Sequence, residues 1–477
     1  MRFVSATLTC ICLLFSLSAP LLAQDASSAA AVIDETPSTT VSAPEAAPVA
    51  APAVAPEPVV AAPLTKPTLV SASQINSGDT AWMLVSTALV LLMTLPGVAL
   101  FYTGMVRKKN VLATMGHSFV TTCIVSVLWV VVGYSIAFTP GATPWVGSFD
   151  RFMLNGMEFI KSSGMLTVHH IATTIPESVF MMFQMTFAII TPALITGAFA
   201  ERMKFSALVA FVALWSLLVY APVAHWVWEP TGWLASMGVL DFAGGTVVHI
   251  NAGVSGLVAA IIIGPRLGFG RVAMPPHNLI LTVIGASLLW VGWFGFNAGS
   301  AGTADGRAGM AMFTTQLATA AAALTWMVIE WVKRRKPSIL GMVSGAVAGL
   351  VAITPASGFV GVTGAFAIGI AAGGACYWGA TWLKSTMGYD DSLDVFGVHA
   401  IGGIVGALLT GVFAVKNIGG VEGSLAIQAV GVVSTVIYAS VVTTVILLIL
   451  DKIMGLRVEM DEENEGLDIE QHGEQVL

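Results

Sequence analysis

Eleven long apolar stretches are the feature that most limits how this chain can fold. Each holds about twenty residues, enough for an α-helix to cross a hydrocarbon layer roughly 30 Å thick. The chain is 56% hydrophobic and only 10% charged, with 49 glycines, which is unlike a soluble enzyme of 477 residues. The sequence predicts an all-α integral membrane protein. The predicted transmembrane helices cover residues 81–103, 113–138, 175–199, 205–226, 243–264, 278–299, 311–332, 338–355, 359–383, 395–414 and 424–450.

The charges between these spans predict their orientation. Cytoplasmic loops of membrane proteins carry an excess of Lys and Arg. We therefore expect the N-terminus outside and the C-terminus inside. A basic surface suited to nucleic acid does not fit this distribution. The loops after spans 1, 3, 5, 7 and 9 hold most of the basic residues, at 107–109, 202 and 204, 266 and 271, 333–336 and 384.

The first 76 residues differ from the rest in composition. Residues 1–23 combine Arg2 with an apolar run and small residues, the pattern of a cleaved signal peptide. Residues 24–76 are dominated by Ala, Pro, Val, Ser and Thr and predict a disordered periplasmic extension. The expected domains after it are the helical domain at 77–454 and a cytoplasmic tail at 455–477.

Two segments of the chain resemble each other. The sequence VHINAGVSG at 248–256 and the sequence VHAIGGIVG at 398–406 share Val, His and two glycines in register, and each follows an Asp by a few residues. Spans 5 and 10 are therefore interpreted as equivalent helices of two five-helix halves. An odd number of helices per half requires opposite orientations, which makes an inverted repeat with a pathway between the halves. Span 11 lies outside the repeat.

His249 and His399 occupy the matching positions of these two segments. An ionisable residue deep in a span is costly and usually functional, although a histidine can also simply bond a neighbouring helix. Axial ligation of haem is the alternative from another class. A two-haem bundle should show four intramembrane histidines, two on each of two helices, and the remaining histidines do not form that pattern. The pair favours a solute pathway, with neither a metal nor a cofactor.

Aromatic residues form a second group near the expected outer ends of the spans. Phe183 and Phe187 are one helical turn apart on span 3, and Trp228 lies at the end of span 4. Such stripes usually serve packing, but an indole face beside a hydroxyl suits a cation that donates hydrogen bonds. A stripe on span 6 contains Trp293, Phe296, Asn297 and Ser300.

Three motifs in this order resemble the signatures of the ammonium transporter, methylammonium permease and Rhesus family. They are DFAGGTVVHINAG at 241–253, GWFGFNAGSAG at 292–302 and DVFGVH at 394–399. The likeness extends from about Ala81 to the C-terminus. It implies a homotrimeric ammonium transporter, not an enzyme, with one pore in each subunit.

The resemblance also implies roles for single residues. Trp228, Phe187 and Ser300 are expected to form an outer recruitment site for ammonium, with Phe187 and Phe296 stacked as a gate below it. His249 and His399 are expected to line the pore. Asp241 is expected to support the recruitment site, although a helix N-cap is an equally good interpretation. Asp394 is interpreted as structural.

The C-terminal tail resembles the family's bacterial tail at GLRV (455–458) and EGLDIEQHGE (465–474). The likeness implies packing on the cytoplasmic face and regulation by a nitrogen-regulatory PII protein. An ammonium sensor that signals through this tail is the alternative function. A dedicated sensor usually carries a longer signalling domain after its last span.

Overall fold

The computed structural model describes residues 63–476, and this part of the chain is an all-helical protein of membrane type with one small sheet. Ten of the described helices are long and apolar enough to cross a membrane, and α8 is a shorter apolar helix of 15 residues. The helices are α1 Ser77–Met105, α2 Lys108–Phe138, α3 Glu177–Phe199, α4 Phe205–Met237, α5 Gly245–Ile263, α6 Leu279–Gly299, α7 Gly306–Arg334, α8 Ile339–Ile353, α9 Val362–Met387, α10 Phe396–Phe413 and α11 Leu425–Met454.

Each predicted span corresponds to one of these helices. The eighth span was predicted over 338–355, whereas α8 covers only Ile339–Ile353 because the chain turns at Thr354. Helix α4 is interrupted by a turn at residues 229–232, just after Trp228. A single helical turn at Lys416–Gly419 separates α10 from α11.

A four-stranded antiparallel sheet covers one end of the bundle, which we name the sheet end. Its central strand is β3, which forms antiparallel main-chain pairs with each of the other three strands. The sheet was not predicted from the sequence. Its strands are β1 Thr68–Ser71, β2 Phe159–Ile160, β3 Met165–His169 and β4 Ala172–Pro176.

The predicted disordered extension needs a correction at its C-terminal boundary. We placed that boundary at residue 76, but Thr68–Ser71 form β1 and pair with β3 from Thr68↔Val168 to Ser71↔Met165. The segment is ordered there because its backbone groups complete the ladder of a distant strand. The predicted signal peptide and residues 24–62 of the predicted extension lie outside the described residues.

The tail packs against the opposite end of the bundle, which we name the tail end. Its two short helices are α12 Met460–Glu465 and α13 Leu467–His472. The Asp468 carboxylate accepts hydrogen bonds from the backbone N–H groups of Leu112 (3.1 Å) and Ala113 (2.8 Å). These N–H groups belong to the first α-helical turn of α2, which begins at Val111 after a short 3₁₀ turn, and the helix dipole favours an anion there.

Helices α5 and α10 cross with their backbones almost in contact. A Cβ on Gly253 would lie 2.2 Å from the backbone nitrogen of Ala400, and one on Gly403 would lie 2.9 Å from the carbonyl oxygen of Gly245. Only glycine allows this approach without displacing the partner helix. The crossing brings the histidines of the two helices together.

Candidate functional site

His249 and His399 lie side by side at the crossing of α5 and α10. Their rings are stacked with centroids 5.3 Å apart, and their Nδ1 atoms are 3.3 Å apart. One ring must donate and the other accept in this contact, so the two tautomers are linked. The side chains are buried, and within the described residues Nε2 of His249 has no hydrogen-bond partner.

Both histidines sit in π-helical turns at the start of their helices. The turn Gly245–Ile250 carries His249, and the turn Phe396–Ala400 carries His399. A π-turn shifts the helical register by one residue and often occurs at functional sites. The two helices therefore place their histidines with the same local geometry.

Asp241 caps the helix that carries His249. One carboxylate oxygen accepts hydrogen bonds from the N–H groups of Gly244 (2.8 Å) and Gly245 (2.7 Å), and the other accepts from Thr246 (2.9 Å) and Val247 (3.0 Å). Burial raises the pKa of Asp241, and these four bonds oppose the rise. The helix-cap interpretation of Asp241 matches this geometry.

Asp241 also contacts the aromatic group through its backbone. Its carbonyl oxygen accepts a hydrogen bond of 2.9 Å from Nε1 of Trp228. The same residue therefore orients the indole and starts the helix of the central histidine. Both oxygens of its carboxylate are occupied by the four backbone N–H groups that follow it in the chain.

Asp391 precedes α10 in the way that Asp241 precedes α5. It lies eight residues before His399, as Asp241 lies eight before His249, and accepts a hydrogen bond of 2.7 Å from the N–H of Phe396. Burial raises the pKa of Asp391 to about 6, although nearby Lys384 lowers it. Asp394 is instead bound to Nζ of Lys384 at 2.7 Å, in keeping with its structural interpretation.

The predicted recruitment residues share one cavity at the sheet end. This sheet-end cavity has a volume of about 140 Å³, and Trp228, Phe187 and Ser300 all line it. The hydroxyl of Ser300 donates to the carbonyl oxygen of Phe296 at 2.8 Å, so its own oxygen keeps lone pairs for another donor. Two aromatic faces and one hydroxyl oxygen therefore surround the same space.

Aromatic contacts connect this cavity to the histidines. The ring of Phe187 contacts Trp228 edge-on at 5.7 Å and stacks on Phe296 at 4.1 Å. Phe296 lies 6.1 Å from His249. The stacked phenylalanines lie between the cavity and the buried pair.

A second cavity, the tail-end cavity, reaches His399 from the other side. Its volume is about 260 Å³, and its wall includes His399, Glu330, Arg334 and Asp394. Aromatic residues line both cavities, but only the tail-end cavity also has charged side chains in its wall. The histidine pair therefore lies between an aromatic cavity and a charged one.

Sequence reasoning named Trp293 in a stripe but did not assign it to the site. Its indole stacks on His249 at 5.3 Å and donates from Nε1 to Oγ1 of Thr354 at 2.9 Å. Phe296 and Trp293 are three residues apart on α6, so both face α5. That spacing is the signal that could have added Trp293 to the site.

A separate polar cluster lies at the sheet end. Candidate ligand atoms of His169, His170 and Glu229 lie within 4.8 Å of one another. However, both ring nitrogens of His169 are engaged, one by the carbonyl of Phe138 (2.7 Å) and one by the N–H of Ile171 (3.2 Å). Burial lowers the pKa of His169. Hydrogen bonding accounts for the cluster without a metal.

Comparisons with known proteins identify the family. The sequence profile of the Ammonium Transporter Family matches residues 81–477. The ammonium transporter of Bacillus subtilis (strain 168) is 49% identical over 406 residues, which are 83% of this chain and 98% of that protein. The ammonium transporter of Aquifex aeolicus (strain VF5) is 48% identical over 412 residues, which are 85% of this chain and 94% of that protein.

Solved structures agree in fold. The crystal structure of Candida albicans Mep2 has a TM-score of 0.76 and 34% identity, covering 82% of this chain and 89% of that chain. A structure titled Sensor Amt Protein also has a TM-score of 0.76, with 30% identity, covering 83% of this chain and 98% of that chain. The chain belongs to the Ammonium Transporter Family, and its two bacterial relatives named above are transporters rather than enzymes.

Proposed function

We propose that the chain conducts ammonium through a pore whose centre is His249 and His399. The observation that carries this proposal is the position of the pair: His399 lines the tail-end cavity, and His249 connects through Phe296 and Phe187 to the sheet-end cavity. No other pair of contacting imidazoles in the described residues joins the two halves in this way.

The sheet-end cavity captures the cation. Ammonium contacts the faces of Trp228 and Phe187 and donates a hydrogen bond to the free lone pairs of Ser300. Phe187 and Phe296 must separate for the solute to pass, because their stacked rings fill the space below the cavity. They act as the gate.

Loss of a proton makes the apolar passage feasible. A charge at the centre of a bilayer costs about 2.5–3.5 kcal/mol on insertion scales, and more than 10 kcal/mol for isolated charges in simulations. If ammonium resembles a lysine head group with a pKa of about 10.4, neutralising it near pH 7 costs roughly 4–5 kcal/mol. These costs are comparable, so ammonia can pass separately from its proton, whereas potassium has no proton to lose.

The contact between the imidazoles provides a path for that proton. The unpartnered Nε2 of His249 accepts the proton, the Nδ1–H of His249 moves to Nδ1 of His399, and His399 releases its Nε2 proton into the tail-end cavity. Ammonia follows as the neutral product. Both rings then hold the opposite tautomer and must exchange protons again before the next turnover.

The membrane arrangement is part of the same proposal. Eleven spans cross the inner membrane of a bacterium and form two inverted five-helix repeats and an additional helix, α11. The sheet end faces the outside, and the tail end faces the cytoplasm. The matching caps of α5 and α10 support the repeat. A signal peptide at 1–23 and an extension after it fit a periplasmic N-terminus.

We also propose a homotrimer whose cytoplasmic tail is regulated by a PII protein. The proposal is supported by a contact of the tail with the loop after α5, where Glu463 accepts a hydrogen bond from the N–H of Leu267 (2.7 Å) while it pairs with Arg457 of the tail (2.7 Å). Deletion of residues 456–477 should change both PII binding and the control of flux. Unchanged binding and unchanged control would remove the regulatory role.

The sensor alternative has less support. The chain is 48–49% identical to the proteins named ammonium transporters and 30% identical to the structure named a sensor. The transport proposal is tested by reconstituting the purified protein in vesicles and recording ammonium flux and current together. We expect both with an ammonium gradient and neither with potassium. Binding of ammonium without any flux would favour a sensor.

A further inference from the structure

The indole of Trp293 lies against the central histidine pair, but it has no part in the proton route proposed for the two imidazoles. Its ring is nearly parallel to that of His249, with an angle of 18° between the planes and 5.3 Å between the centroids. The side chain of Trp293 is buried, with 1% of its surface exposed. An indole face at this distance attracts a positive charge on the neighbouring ring, and it does so most strongly where solvent is excluded.

Two hydrogen bonds fix the plane of this indole. Nε1 of Trp293 donates to Oγ1 of Thr354 at 2.9 Å, and the hydroxyl of Thr354 donates to the carbonyl oxygen of Leu350 at 2.8 Å. Because the hydroxyl proton of Thr354 is already used, its oxygen can only accept from the indole. Trp293 on α6 is therefore tied to the end of α8, and its ring is held beside His249 before any proton arrives.

The proposed relay places a positive charge on His249 for part of each cycle. An N–H bond of ammonium breaks and its proton binds to Nε2 of His249, so this ring carries a proton on both nitrogens until the Nδ1–H proton passes to His399. A charge buried without a counter-ion is costly. Within the described residues, neither ring nitrogen of His249 is bonded to a carboxylate, because Nδ1 contacts His399 and Nε2 has no partner. The neighbouring aromatic rings are then the groups that can stabilise the charge.

We propose that Trp293 stabilises the doubly protonated, cationic form of His249 through the face of its indole. This inference rests on the proposed proton relay. Phe296 also lies beside His249, but its centroid is farther away, at 6.1 Å, and its plane is tilted by 33°. Indole also attracts cations more strongly than a phenyl ring does. Trp293 therefore acts on the passage of the proton, whereas Trp228 acts on capture of the cation.

The test replaces Trp293 in the full chain with fluorinated tryptophans, which keep the shape of the indole while each fluorine withdraws electrons from its face. Ammonium-driven current is recorded in vesicles. We expect the maximal current to fall stepwise as fluorines are added, by about tenfold to thirtyfold at the most fluorinated indole, because a desolvated cation–π contact is lost. The half-saturating ammonium concentration should stay at the wild-type value. Trp293→Leu should lower the maximal current at least as far, and Trp293→Phe should lie between Trp293→Leu and the wild type.

Fluorination at two other positions provides the controls. At Trp228, whose indole is proposed to contact ammonium itself, it should raise the half-saturating concentration, and at Trp331, which is exposed, it should change neither quantity. If Trp293→Leu lowers the maximal current but fluorination of Trp293 does not, the indole serves packing and the inference is wrong. That result leaves the proposed function intact when His249→Leu combined with His399→Leu abolishes the current. Wild-type current in this double variant would show instead that the relay itself is wrong.

Discussion

The helices that carry the two histidines begin at opposite ends of the bundle, and their aspartate caps differ in how completely they are bonded. Asp241 accepts four backbone hydrogen bonds, two on each oxygen. Asp391 accepts one on Oδ2, from Phe396, and within the described residues its Oδ1 has no partner. Both carboxylates are buried.

The cavities beside these two caps also differ, in the side chains that line them. The sheet-end cavity is lined mainly by aromatic and small side chains, while the tail-end cavity includes Glu330, Arg334 and Asp394. On the proposed route, ammonia and the relayed proton would both reach charged groups only after the histidines. The sheet end, with its fully bonded cap, would then serve capture of the cation, and the tail end would serve release.

The cap comparison predicts its largest effect at Asp241. Asparagine at this position keeps one acceptor oxygen and turns an NH₂ group towards two backbone N–H groups. Asp241→Asn should therefore reduce the free energy of unfolding by roughly 2–6 kcal/mol, since two buried donors lose their acceptor. Thermal or denaturant unfolding of the purified protein in detergent measures this loss. If Asp241→Asn lowers the free energy of unfolding no more than Asp391→Asn does, the proposed difference between the two caps is wrong.

Asp391→Asn should have a smaller effect with the opposite sign. Asparagine can still accept the bond from Phe396. Because the pKa of Asp391 is raised to about 6 in the folded protein, the wild type loses unfolding free energy as the pH rises from about 4 to about 6, by roughly 3 kcal/mol in total. The variant lacks this loss, so its stability advantage should appear above pH 6 and vanish near pH 4. If the unfolding free energies of the wild type and the variant change with pH in parallel across this range, Asp391 does not have a raised pKa in the folded protein.

The smallest effects are expected at the sheet-end cavity. Trp228→Ala and Ser300→Ala each remove one contact of a shallow site and should raise the half-saturating ammonium concentration without abolishing transport. A cation–π contact of about 0.5–2 kcal/mol corresponds to a change of roughly threefold to thirtyfold. Trp331→Ala, at an exposed position outside both cavities, is the matched control. Wild-type half-saturation in both cavity variants would place capture elsewhere.

The histidine pair could be predicted from the sequence because two similar segments place His249 and His399 at matching positions. Asp391 was missed for a local reason. The loop before α10 contains Asp390, Asp391 and Asp394, so the sequence offers three candidates for the acid that caps this helix. The shared spacing of eight residues would have selected Asp391.

Other features were harder to predict because they depend on distant pairing. Strand β1 is four residues long and becomes ordered only by pairing with β3, almost a hundred residues later in the chain. No local alternation marks such a short strand.

The central claim is that His249 and His399 carry the proton of ammonium through the membrane. It is tested most directly by replacing both residues with Leu and recording ammonium-driven current in vesicles, with folding checked by oligomer state and thermal midpoint. Leucine keeps the pore filled at this point but cannot accept or donate a proton. The account predicts a folded protein whose ammonium current is abolished. Wild-type current in the folded double variant would contradict it and reduce the two histidines to packing residues.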